Sequence, residues 1–143
     1  MIRTQLQTAL TDAGCTLVLY ESAQMATVIT DQTKFSDIVG LVLEPDTITL
    51  ESRGNGLHEH YPPVTVEVFQ QVRPEDTAAN NEATLAAMLA VCKAFVLVLI
   101  RSGAFAKIPA VPCTKLTERR YDANVLGWSM ALDLQPLTNE TTC

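Results

Sequence analysis

The sequence lacks most of the features that announce a reaction. Its four cysteines, Cys15, Cys92, Cys113 and Cys143, lie far apart and form no Cys-x-x-Cys pair, and only two histidines are present. That spacing gives no metal or disulfide framework and reads as free thiols in a reducing compartment. Of the four, Cys143, at a polar terminus, is the one placed to react. There is no Gly-x-Ser-x-Gly elbow, no Gly-x-x-x-x-Gly-Lys phosphate loop and no Gly-x-Gly-x-x-Gly ahead of a helix, so the usual hydrolase and nucleotide-binding signatures are missing. Positive charge is scarce as well. Ten Lys and Arg stand against 16 Asp and Glu, a net charge of −6, which removes the counterion-release term behind general nucleic-acid binding. Met1 is not followed by the charged, apolar and small-residue regions of a leader peptide, so the Asn139-Glu140-Thr141 sequon carries no meaning for a chain expected in the cytoplasm.

What is present is a globular composition: 48% apolar and 18% charged residues over 143 positions. That predicts one domain spanning 1–143, with 136–143 as a tail after Pro136, and no need of disulfide staples or a cofactor. Ile2, Leu6, Ala9, Leu10 and Ala13 recur at helical spacing, and Gly14 follows where a left-handed cap is wanted. Cys15 to Tyr20 then reads as a strand, and 21–35 as loop with a short helix around Ala23 to Ile29.

Asp37 to Leu43 is a continuous apolar run stopped by Glu44-Pro45-Asp46, the pattern of a buried strand. Thr47 to Arg53 alternates, Gly54-Asn55-Gly56 supplies a turn, and Val64 to Val72 sets Val64, Val66 and Val68 against Thr65, Glu67 and Phe69. Together these predict a long antiparallel hairpin with an extended tip. Residues 73–79 read as a polar connection, and a helix is expected from Asn80 to Ser102, closing at Gly103. Past Pro109 and Pro112, Leu116 to Leu134 reads as one long strand bent near Gly127. The fold expected is α+β: a mostly antiparallel sheet with a β-hairpin, one long helix and a short N-terminal helix packed on one face.

The segment 83–100 needs a membrane test, because it is apolar except for Thr84 and Lys93 and just reaches spanning length. Lys93 near its middle costs roughly 2.5 to 3.5 kcal/mol on insertion, and Asn80-Asn81-Glu82 open it like a helix of a water-soluble domain. It is read as a buried helix with no membrane partner. Yet one sheet covers only one side of a helix in so small a domain, and the rest of an all-apolar circumference calls for a neighbouring subunit.

Two short stretches could carry chemistry. His58-Glu59-His60 offers two imidazoles on one strand face and a carboxylate on the other, an incomplete tetrahedral set, so the reading preferred over a metal-dependent hydrolase is a solvated hairpin tip. Glu118-Arg119-Arg120-Tyr121-Asp122 is the densest charged run. It suits an anion, an acidic partner or salt bridges between subunits, against the plainer reading of a solvated strand start. Candidate subunit or partner contacts are therefore Arg53, His58, Glu59, His60 and Tyr61 at the hairpin tip, Lys93 on the helix, and Arg119, Arg120 and Asp122. No catalytic, cofactor-binding or metal-ligating residue is assigned.

In order and length of segments, Ile2 to Ala13, Cys15 to Tyr20, Asp37 to Val72, Asn80 to Ser102 and Lys115 to Leu134, the chain resembles the tail terminator, or tail-completion, proteins of long-tailed bacteriophages. The resemblance covers most of the chain and rests on no short motif; 21–35 and 107–112 have no counterpart in it. It implies a structural protein of the virion, assembled in the host cytoplasm into a homo-oligomeric ring, usually a hexamer. That ring would cap the tail tube, meet the head connector and let DNA pass as non-specific cargo. An acidic lumen would repel that DNA and not hold it. The alternative expectation is a small cytoplasmic α+β ligand-binding module encoded on a mobile element.

Overall fold

A computed structural model describes residues 2–20, 37–43, 49–54, 56–60, 63–72, 77–105, 108, 110–116, 119–120 and 123–135. Helix α1 spans Ile2–Ala13. It ends in a Schellman closure, with Gly14 N–H donating to the Thr11 carbonyl at 3.2 Å and Cys15 N–H to the Leu10 carbonyl at 3.0 Å. Gly14 takes φ +119° there, a backbone conformation that side chains resist. The chain turns straight into β1, Leu17–Tyr20. Thr16 fixes that entry by accepting from Ile38 N–H at 2.9 Å and donating to Asp37 at 3.1 Å through the same hydroxyl.

The main sheet runs β1, β2 (Val39–Leu43), β5 (Val64–Gln71), β8 (Ala123–Leu132), β6 (Cys113–Leu116), with β7 (Arg119–Arg120) also paired to β8. β1 and β2 are parallel, and every other pair is antiparallel. β3 (Thr49–Arg53) and β4 (Gly56–His60) form a separate two-stranded sheet. The result is the expected α+β fold, a mixed, mostly antiparallel sheet with two helices on one face and a hairpin.

Two pairings differ from the sequence expectation. The stretch 116–134 is not one strand but is divided between the two arms of a hairpin: Leu116 faces Gly127 and Arg119 faces Asn124, one continuous register that folds β6 and β7 back on β8. The 47–72 hairpin is divided. β5 pairs with β2, Val39 opposite Phe69, while β3 pairs with β4, Thr49 opposite His60. The tip register is shifted by one residue relative to the base, as one extra residue in an arm would produce. The helix expected around Ala23 to Ile29 and the tail 136–143 lie outside the described residues.

The alternation in β5 divides the core as its sequence implies. Val64, Val66 and Val68 join Leu6, Leu10, Met130 and the long helix on one face, while Phe69 joins Val39, Leu41, Leu116 and Val125 on the other. Gly127 sits at the crossing of β5 and β8, where an added Cβ would run into the Val68 carbonyl and lie 2.6 Å from Phe69 Cα. No other residue fits that close backbone approach.

Candidate functional site

The long helix, α2, spans Ala78–Ser102. It starts two residues earlier than the sequence suggested, because Thr77 caps it, its hydroxyl accepting from Asn80 N–H at 3.2 Å. It closes at Gly103, φ +69°. Met88, Cys92, Phe95 and Leu99, at helical spacing, are buried against the sheet and α1. Trp128 pins the helix to β8 by donating its indole N–H to the Leu85 carbonyl at 2.9 Å.

By length and composition α2 is apolar enough to cross a membrane. Its inner face is nonetheless committed to the domain: withdrawn into lipid, it would strip cover from Val64, Val66, Val68, Met130 and Leu132.

The outer face is different. Ala83, Ala86, Ala87, Ala90 and Lys93 are exposed, and Leu97 and Ile100 are 43% and 55% accessible. α1 leans on the C-terminal half of α2 from one side, leaving a cleft of about 400 Å³ lined by Thr8, Asp12, Val98 and Arg101 among others. On the other side α2 overhangs the β6 edge. There Leu89, Val96, Leu97 and Ile100 face Val111 and Cys113 across an open groove of about 280 Å³, with Lys93 at its margin. Cys113 is exposed, its thiol 3.7 Å from the Val111 carbonyl, whereas Cys15 and Cys92 are buried. Burial pushes the Cys15 thiol up to about 12. Burial does the same for Cys92, also to about 12, with Cys113 and Cys15 nearby adding to the rise. Neither is an available nucleophile at neutral pH.

The sequence-derived candidates fall in three separate places. Arg53, His58, Glu59 and His60 lie in the β3–β4 hairpin, His58 opposite Glu51 and Glu59 opposite Leu50 in register. Arg119 and Arg120 lie in β7 opposite Asn124 and Ala123. Those two places are at opposite ends of the sheet, since β5 leaves the hairpin at Val64, beside Leu132, and reaches Val125 only at Gln71. Eight residues of strand separate them, about 25 Å. Lys93 is exposed on α2, apart from both. Tyr61 and Asp122 lie outside the described residues. Among the described residues no three His, Cys, Asp or Glu side chains cluster as a metal set. The groove residues Leu97, Ile100, Val111 and Cys113 were not singled out by sequence, because an all-apolar helix does not reveal which arc turns outward.

Compared with known protein families and with curated proteins, the chain matches no family model and no curated sequence.

Proposed function

We propose that this chain is a structural virion-assembly protein of the tail terminator or neck type, acting as a homo-oligomeric ring at the head-proximal end of a phage tail tube. The observation that carries the reading is the outer face of α2. Leu97 and Ile100 stand exposed beside an apolar groove, on a helix whose opposite face is already buried. Surface of that kind is stabilised by covering it with protein. Closed rings are how identical chains cover such patches without leaving one over.

Net charge −6 supports the same reading, because a ring through which DNA passes functions best when its wall does not bind phosphate. The role asks for contact surfaces and no reactive group. Its partners are other copies of itself, the tube and the head connector, during assembly in the host cytoplasm and in the virion.

Negative-stain electron microscopy and native mass spectrometry of the purified protein test this. Rings of uniform copy number that bind tube ends are expected. A monomer with no affinity for tube ends overturns the proposal, and a saturable small ligand in the α2 groove of that monomer would favour a binding module instead.

A further inference from the structure

Resting on that ring reading, we propose which surfaces meet: the β3–β4 hairpin of one copy seats in the α2 groove of the next, with Leu50 entering between Leu97, Ile100 and Cys113. Among the described residues the large hydrophobic side chains left exposed are Leu50 at 59%, Ile100 and Leu97. They form two patches on different elements.

Among the described elements β3 and β4 pack extensively on each other and on no other strand or helix to a comparable degree, and a lone two-stranded hairpin is marginal in water. The hairpin's own α2 does not supply a partner, since no substantial packing joins them within one copy. The groove, at about 280 Å³, has room for a leucyl side chain.

Charge selects the orientation. The charged residue lining the groove is Lys93, and Leu50 stands opposite Glu59 in register, on the same face of the hairpin. Opposite signs therefore meet when hairpin docks on helix. Pairing two α2 grooves face to face would instead bring Lys93 toward its own copy, a repulsive contact in an apolar setting. A hairpin-to-groove contact is heterologous: each copy gives one surface and receives on the other, which propagates around a ring.

The experiment compares the wild-type chain with Leu50→Asp and Ile100→Asp, singly and mixed, by sedimentation and native mass spectrometry. Circular dichroism confirms that each variant stays folded. Each substitution is expected to weaken association at least about tenfold. An equimolar mixture should recover a one-to-one dimer and nothing larger, because only one intact hairpin and one intact groove remain.

A wild-type ring that Leu50→Asp leaves intact overturns the hairpin seat and spares the ring; so does a mixture that fails to pair. A wild-type monomer at every concentration overturns both. Leu50→Cys gives an independent readout. Mild oxidation of its rings should link it to Cys113 of the adjacent copy, and the ladder should vanish with Cys113→Ser. Rings that never link refute the seat.

Discussion

The two faces of α2 are built from the same kinds of residue and meet opposite fates. Met88, Cys92, Phe95 and Leu99 are enclosed by sheet and α1, whereas Leu97 and Ile100, one or two positions away along the same helix, face outward beside the groove. Composition did not separate them; the width of the sheet did. α1 sits over β2, where Leu10 closes on Gly40, and α2 sits over β5 and β8, so that it only borders β6 across the groove. Side-chain chemistry makes the whole circumference of such a helix apolar, and topology decides how much of it one chain covers.

The sharpest way to break that contrast is to truncate the inner face. Phe95→Ala removes a fully buried ring from the main core and is expected to cost about 3 to 5 kcal/mol of unfolding free energy. Urea denaturation at a concentration low enough to keep the chain monomeric measures it. A loss under 1 kcal/mol would mean that the inner face is not the packed one.

A smaller effect distinguishes the thiols. Cys15 and Cys92 ionise near 12 when folded and near 9 when exposed, so the native state holds its protons more tightly. Their contribution is intact below pH 9 and is lost as pH rises from 9 toward 12, by roughly 1.4 kcal/mol per pH unit per thiol. Unfolding free energies at pH 8, 9.5 and 10.5 should fall little over the first interval and steepen toward that slope over the second, and Cys92→Ala should flatten the fall. At pH 8, and at a concentration low enough to keep the chain monomeric, a thiol reagent should modify Cys113 in the folded chain and reach Cys15 and Cys92 only on unfolding. Rapid native modification of Cys92 would contradict its burial.

How much of this was legible in the sequence varied with the range of the interaction. Helix ends are local, and Gly14 and Gly103 marked both C-termini correctly. Thr77 was passed over as cap because Ala78 and Ala79 look like linker beside Arg73-Pro74-Glu75-Asp76. The two-residue period of Val64 to Phe69 showed which side chains share a face, but not that the face of Phe69 would hold a buried cluster of its own. Between Arg120 and Ala123, which pair, the sequence has neither Gly nor Pro, so a hairpin read as one strand. The parallel pairing of β1 with β2 joins Leu17 to Val39 across a long intervening segment, a contact that no local pattern encodes. Of the candidate site, Lys93 and the hairpin were readable from charge and turn chemistry. The groove was not, since it exists only where α2 passes the β6 edge.

The smallest expected effect bears most directly on that edge. Ile100→Ala trims a side chain that is more exposed than buried in the single chain, so the cavity term that penalises Phe95→Ala is absent. Its unfolding free energy as a monomer should change by no more than about 0.5 kcal/mol. The same substitution should shift the sedimentation profile toward smaller species, because the area it removes is area a neighbour would cover. If denaturation of the monomer instead reports a loss of 2 kcal/mol or more, Ile100 is already packed within its own chain. The asymmetry between the two faces of α2 would then be false, and the proposal that a second copy covers the outer one would lose its ground.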